Sequence, residues 1–375
     1  MTRLRLGMVG GGQGAFIGAV HRIAARIDDQ WELVAGALSS DPDRSRASAA
    51  ELGIAPDRAY VSFEEMVRLE SGRADRIDAV AIVTPNHMHA APAIAFLNAG
   101  IHVICDKPLA STAQEAEAIA QAAHASAAQF FLTHNYTGYP LIRQARDMIA
   151  SGDLGDIRVV QVEYAQDWLT EEISNKQADW RTDPSKSGAG GCVGDIGTHA
   201  FHLASYVTGL NASSLAADLD AFVPGRLVDD NVHVLLRFEG GAKGMLWASQ
   251  VAVGNENALR LRVHGTKGGL EWEQENPNVM HFTRFGEPKQ ILTRAGAGST
   301  AAGQRNTRIP PGHPEGYLEG FATLYTEAAN IIRNDQSGTP EAGAHTPGIE
   351  DGLKGMRFIS ACIESSRKDA AWVSF

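Results

Sequence analysis

The stretch MVGGGQGAFIGAVH, residues 8–21, decides how this chain is read. It continues the apolar run LRLGMV (4–9), which reads as a buried strand, and it sets five glycines within positions 10–18. Glycines at a strand end let backbone approach something closely. Gly10 and Gly12 supply the G-x-G that opens a dinucleotide-binding turn. The third glycine of that pattern belongs at residue 15, which is Ala15; Gly18 stands three residues later and opens a helix over 18–27. On this spacing Gly10 makes the tight turn, Gly12 admits a pyrophosphate, and Gly18 permits close helix–strand packing after a small insertion. Gly14 is either part of the enlarged loop or the third glycine in another register. Gln13, Ala15, Phe16 and Ile17 line the turn, and the N–H groups of the helix start face the phosphate charge.

Outward from this turn, strand-like and helix-like segments alternate. WELVAGAL (31–38), IDAVAIVTP (77–85), IHVICDKP (101–108) and QFFLTHN (129–135) read as strands. DPDRSRASAAELG (41–53) and STAQEAEAIAQAAHAS (111–126) read as helices, the latter capped by Ser111 or Thr112. Continuous apolar strands between helices predict a parallel, doubly wound Rossmann sheet over 1–133. The remainder, 134–375, changes character. After a helix near 139–150 come the strands 157–165, 232–239, 243–252 and 258–265, with few helices between them, which predicts an α+β domain with a large, open, mainly antiparallel sheet. Segments 317–333 and 349–366 read as amphipathic helices, and 285–315 as a long loop.

The acid that grips an adenosine ribose belongs at the end of the second strand. Ser39 and Ser40 occupy that place, Asp41 comes slightly late and Arg44 follows. Serine with arginine suits a 2′-phosphate, whereas Asp41 suits a free ribose, so NAD and NADP both stay open, NAD slightly favoured. Asp41-Pro42 reads equally well as a helix start.

The net charge of -11 is spread along 375 residues with no Lys/Arg cluster, which argues against a nucleic-acid partner. No apolar run is long enough for a transmembrane helix. An odd count of three cysteines without C-x-x-C spacing argues against a disulfide scaffold and for a reducing cytoplasm.

Three motifs in order, TPNHMHA (84–90), CDKPLA (105–110) and GDIGTHAFHL (194–203), resemble the Gfo/Idh/MocA family, the relatives of glucose–fructose oxidoreductase and inositol dehydrogenase. The resemblance spans nearly the whole chain. It implies that Thr84, Pro85, Asn86 and His89 line the nicotinamide and its ribose. It also implies that Asp106, in place of the family's usual glutamate, reaches the ribose hydroxyls, that Lys107 projects into the site, and that Pro108 fixes the turn and follows a cis bond. Asn135 and Tyr136 border the pocket where the domains join; Thr137 stands where relatives often carry arginine.

Asp195 and His199, four apart on one helix, share a face, with His202 one turn deeper as a packing residue. The chemistry that follows is alcohol oxidation by a nicotinamide cofactor, without metal. His199 takes the hydroxyl proton, Lys107 stabilises the developing alkoxide, and Asp195 orients sugar and histidine. Trp168 offers an aromatic face to a sugar ring, Arg181 suits an acidic group, and PPGHPEGY (310–317) carries His313 toward the pocket. The predicted substrate is a small carbohydrate or polyol: a sugar, glycoside, sugar acid or inositol with a ring secondary hydroxyl. Two alternatives use the same residues or fold, a redox-neutral NAD-dependent glycoside hydrolase or lyase and a non-catalytic cofactor-sensing protein. Apolar residues on both faces of strand 232–239 predict a homodimer or homotetramer joined through the open sheet.

Overall fold

Leu4, Leu6, Met8 and Val9 are buried in β1 (Leu4–Gly10), an interior strand of the first sheet in the computed structural model, which describes residues 2–173, 175–337 and 345–375. The chain then runs through α1 (Phe16–Ile27), β2 (Trp31–Ala37), α2 (Pro42–Glu51), α3 (Phe63–Glu70), β3 (Ala79–Val83), α4 (Ala90–Asn98), β4 (His102–Cys105), α5 (Ala113–Ala125) and β5 (Phe130–Leu132). Among the described residues this sheet has the order β2-β1-β3-β4-β5, and every pairing is parallel. Strands covered by helices on both faces need apolar side chains on both, which is why all five residues of β3 are buried. The strand order reverses between β1 and β3, so their carboxyl ends flank the crevice where such sheets bind ligands.

The second part contains α6 (Pro140–Ala150), β6 (Ile157–Ala165), α7 (Lys176–Arg181), α8 (Pro184–Ser187), a π turn (Val193–Gly197), α9 (Thr198–Thr208), β7 (Ala212–Asp220), β8 (Asn231–Phe238), β9 (Lys243–Ser249), β10 (Ala258–Gly265), β11 (Gly268–Glu273), β12 (Val279–Arg284), β13 (Gln290–Thr293) and α10 (Ala301–Arg305). It closes with α11 (Tyr317–Ser337), α12 (Ile349–Arg367) and β14 (Val373–Ser374). Its sheet, of order β13-β12-β11-β10-β6-β9-β8-β7-β14 among the described residues, is antiparallel except where β6 runs parallel to β9. Val232, Val234 and Leu236 of β8 are buried on one face, and His233, Leu235 and Arg237 point to the other. α9 packs against β6, β9 and β10, and Phe201 stacks on Phe358 of α12 at 4.4 Å. On the opposite face Leu235 lies beside Met245, and both are exposed, as is Val159.

The chain divides into two compact units, one comprising Met1–Asn135 with Leu318–Leu353, the other Tyr136–Tyr317 with Lys354–Phe375. A single cut at 133/134 leaves all of α11 with the second part, whereas here most of that helix belongs to the first. Trp31 Nε1 donates to the Tyr325 carbonyl at 2.9 Å, Thr326 donates to Asp28 and Arg333 to Gln30. A helix that returns to an earlier unit carries no local sequence mark of its destination. The stretch read as a long loop over 285–315 holds β13 and α10. β13 is an edge strand whose residues are mostly exposed, so it lacks the apolar alternation that marks strands, and α10 is a short turn capped by Thr300.

Candidate active site

The glycine-rich turn has an internal logic. Gly10 ends β1 at φ +80°, and a Cβ on Gly18 would lie 2.4 Å from the Gly11 Cα. The helix therefore begins at Phe16, two residues before the expected start, and Gly18 sits inside its first turns because the Gly11 backbone passes there. Gly12 is tight for a reason within the protein. A Cβ there would meet the Leu38 carbonyl oxygen at 2.6 Å and Ser48 Oγ at 2.7 Å. Gln13 turns toward α2, its N–H donating to Ser48 Oγ and its side chain to Glu51. Ala15, as N-cap, offers no side-chain acceptor to the first N–H groups of α1. Phe16 is exposed and Ile17 half-buried. An uncapped helix start behind a glycine turn fits a pyrophosphate, since it offers unpaired N–H donors and the positive end of the helix dipole.

At the end of β2, the Asp41 carboxylate accepts the Arg44 backbone N–H at 2.9 Å and caps α2, the second of its two sequence readings. Ser39 Oγ accepts the Asp41 N–H, while Ser40 and the Arg44 side chain are exposed. After β3, Thr84 Oγ1 donates to the Met88 carbonyl, Pro85 leads into a 3-10 turn (Asn86–Met88) and Asn86 is buried. His89 has no exposed surface, and its ring nitrogens lie 2.9 Å from the carbonyl oxygens of Pro108 and Thr84. It ties the loop after β3 to the loop after β4. Burial holds its pKa below the usual histidine range against the opposing pull of Asp106.

Asp106 Oδ1 accepts from the Lys107 N–H and from Thr133 Oγ1, both at 2.9 Å. Lys107 is half-buried and its bond to Pro108 is cis. Asn135, the last residue of this segment of the first unit, is buried.

The second unit gathers the other candidates. Val193–Gly197 is a π turn rather than the α-helix expected over Asp195, and α9 starts only at Thr198. Gly194 and Gly197 favour helix weakly, and π turns recur at functional sites. Asp195 Oδ2 accepts from Arg181 Nε at 3.0 Å and from Gln250 Nε2 at 2.9 Å. Arg181, offered by the sequence as a ligand for acidic substrate groups, is thus paired within the protein. Its guanidinium also donates to Gln177 and lies over Trp180 at 4.3 Å and Trp168 at 5.9 Å.

The buried His199 ring meets Tyr136 edge-on at 4.9 Å and Tyr164 at 6.1 Å. The two phenol oxygens are 2.5 Å apart, and Tyr164 donates to Asn257 Oδ1. Gln166 donates to the same oxygen and accepts from Trp168 Nε1, so Tyr136 and Trp168 end one polar chain. Burial pushes the Tyr136 and Tyr164 hydroxyls above the usual phenol range, leaving both protonated. His202 is buried against Tyr206, as a packing residue should be. His313 stands apart: it is exposed, Arg294 holds its backbone carbonyl, and its ring has no hydrogen bond or ring contact among the described residues.

Sequence reasoning missed Gln250, Asn257 and Tyr164. Each lies at or next to the end of a strand of the second sheet, Tyr164 near the end of β6, Gln250 just after β9 and Asn257 just before β10, and only the order of that sheet brings them together. Among the described residues no group of three or more His, Cys, Asp or Glu side chains could hold a metal ion, and no helix is long and apolar enough to cross a membrane. Cys105, Cys192 and Cys362 are free and buried.

Residues 4–134 match the model of an oxidoreductase family with an NAD-binding Rossmann fold, and residues 142–271 match the GFO/IDH/MocA C-terminal domain. An oxidoreductase from Sinorhizobium meliloti has a similar crystal structure, with a TM-score of 0.92 and 56% identity over 100% of both chains. An inositol dehydrogenase homolog from Azotobacter vinelandii, complexed with NADH and myo-inositol, superposes with a TM-score of 0.94 at 36% identity, covering 100% of this chain and 98% of that one. Levoglucosan dehydrogenase of Pseudarthrobacter phenanthrenivorans (strain DSM 18606 / JCM 16027 / LMG 23796 / Sphe3) is 29% identical over 100% of this chain and 98% of its own length.

Proposed function

The chain belongs to the GFO/IDH/MocA oxidoreductases with an NAD-binding Rossmann fold, and from that premise we propose that it moves a hydride between nicotinamide and a ring secondary hydroxyl of a cyclic polyol or sugar. The observation that carries this reading is the Asp195 carboxylate, held by Arg181 and Gln250 on the turn that leads into His199. A fixed, half-buried carboxylate accepts hydrogen bonds from vicinal hydroxyls, the feature that separates polyols from simple alcohols. Bound nicotinamide supplies the hydride acceptor. Lys107 Nζ stabilises negative charge on the reacting oxygen, an imidazole nitrogen of His199 takes the hydroxyl proton, and Asp195 orients the neighbouring hydroxyl. Tyr136 and Trp168, braced by the polar chain between them, border the substrate.

The relatives that bind myo-inositol and act on levoglucosan support a neutral cyclic substrate over a sugar acid. So does Arg181, whose charge is already matched by Asp195. The turn at Gly10–Phe16 is proposed to hold the dinucleotide, with Asp106 near its nicotinamide ribose. NAD is proposed over NADP on the strength of the family. A second copy is proposed to cover the outer sheet face at Val159, Leu235 and Met245, and three free buried thiols support a cytoplasmic setting. The test is purified protein with NAD+ or NADP+ and a panel of inositols, levoglucosan and hexopyranosides, followed by absorbance of reduced cofactor. The reading predicts NAD+-dependent turnover of at least one cyclic polyol or sugar. No reduction with any of them, or turnover of acyclic alcohols only, refutes it.

A further inference from the structure

We infer that Asp229 is a positioning residue for Asp195: its carboxylate, reaching in from the segment before β8, seats the backbone from which the π turn starts. This rests on Asp195 being a site residue. Asp229 Oδ1 accepts the Gly191 N–H and Oδ2 the Val193 N–H, both at 2.7 Å, and its own carbonyl accepts the Cys192 N–H at 2.8 Å. One residue therefore holds three successive N–H groups at the start of a helical segment, groups that would otherwise lack partners. The fit is close enough to require glycine, since a Cβ on Gly191 would lie 2.3 Å from the Asp229 carbonyl oxygen.

The next residue completes the support from the other side. The Asp230 carbonyl accepts the Gln250 N–H at 2.8 Å, and the Gln250 side chain donates to Asp195 Oδ2. The Asp195 N–H in turn donates to the Gly191 carbonyl at 2.9 Å. The pair 229–230 thus fixes both the backbone that carries Asp195 and a side chain that aims its carboxylate.

The geometry favours the ionised form, because each oxygen accepts an N–H, and protonation makes one of them a donor and a much weaker acceptor. Burial works against ionisation and pushes Asp229 up to about 6, with the Asp230 charge adding to it and the two N–H bonds opposing it. The thiols of Cys192 and Cys362 also feel this carboxylate; burial pushes both well up, so they stay neutral. The two N–H bonds hold the Asp229 pKa down, so unseating the turn with Asp229 still buried raises it further; the unseated form then binds the proton more readily, and acidification through pH 6 favours it while the sheet stays intact.

Amide hydrogen exchange of the whole protein tests this, read on segment 189–199 and on β10 at pH 7.5 and 5.5, with rates corrected for intrinsic pH dependence. Protection of 189–199 should fall about tenfold or more at the lower pH while β10 keeps its own. Asp229→Asn should lack that protection at both pH values, and NADH should bind the variant within twofold of the parent by fluorescence titration. A segment equally protected at both pH values in the parent overturns the inference, and that measurement stands if the variant fails to fold. So does an Asp229→Asn protein with parental protection. With myo-inositol and NAD+ as probe, the variant should lose tenfold or more in kcat, and a parental kcat overturns the inference. A parent that does not oxidise myo-inositol counts against the substrate reading alone, and the exchange result then decides.

Discussion

Replacing Gly18 with alanine tests whether the departure from G-x-G-x-x-G has been read correctly. The new Cβ would sit 2.4 Å from the Gly11 Cα, 2.5 Å from its carbonyl oxygen and 2.8 Å from its carbonyl carbon. Non-bonded carbons settle at about 3.5–4.0 Å, so α1 and the turn must part by about 1 Å. All three are backbone atoms of Gly11, and none can rotate away. Overpacking of this kind costs about 1–3 kcal/mol, and each kcal/mol lowers Tm by roughly 2–4 °C in a unit of this size. The same movement displaces the N–H groups that would receive the pyrophosphate. Loss of one charge-assisted hydrogen bond, about 1.5–3 kcal/mol, weakens cofactor binding roughly tenfold to a hundredfold. Gly14→Ala is the control: unlike the helical Gly18 it has positive φ (+73°), but nothing lies within 4 Å of its Cβ position, so it carries backbone strain without the collision. NADH fluorescence titration and thermal melts of both variants decide the matter. A Gly18→Ala protein with parental Tm and Kd refutes the close approach of Gly11, and equal losses in both variants refute its attribution to Gly18.

Asp41→Ala should cost about 1 kcal/mol through loss of the α2 cap while KM for NAD+ stays within twofold; a large rise in KM with unchanged Tm would restore Asp41 as a ribose ligand. Lys107→Ala should lower the hydride-transfer rate about a hundredfold, read by single-turnover absorbance, with NADH Kd unchanged; a rate within threefold of the parent removes Lys107 from the chemistry. Burial holds His21 at about 4 against an ordinary 6.5, so its stabilising contribution is present above pH 6.5 and lost as pH falls through about 4. At 1.36 kcal/mol per unit this amounts to about 3 kcal/mol, so the slope of unfolding free energy against pH between 4 and 6.5 should flatten in His21→Gln; an unchanged slope assigns the acid sensitivity elsewhere. Leu235→Glu with Met245→Lys should shift sedimentation at micromolar concentration toward a 40 kDa monomer, whereas a parent already monomeric defeats the dimer reading.

What was legible in the sequence was whatever leaves a periodic or punctuated trace. Five parallel strands write themselves as apolar runs because both faces are covered, and β8 alternates because its two faces differ. The pairing of Asp195 with Arg181 left no such trace. The two lie 14 residues apart across a short helix and a glycine-rich loop, so no spacing rule joins them. Gln250 lies 55 residues from Asp195 and meets it only through the second sheet. The glycines are ambiguous in a different way. Gly12 reads as space for a ligand, yet a Cβ there would strike Leu38 and Ser48, because a residue made small for packing looks the same in sequence as one made small for binding.

The π turn shows why a spacing argument needs the structure. In an α-helix, residues four apart are offset by about 40° around the axis, which suffices to call them neighbours. A π turn is wider, advances less per residue and reduces that offset, so Asp195 and His199 come nearer to one line than an α-helix would bring them. Such a turn forgoes good hydrogen-bond geometry, and the two glycines within it add little helix propensity of their own. What compensates lies outside the helix: the Asp229 carboxylate at its start, the Arg181 and Gln250 donors on its carboxylate, and Thr198 Oγ1 donating back to the Gly194 carbonyl at 2.8 Å. The carboxylate that should orient substrate is thus held by tertiary contacts, and its geometry depends on the second sheet being folded.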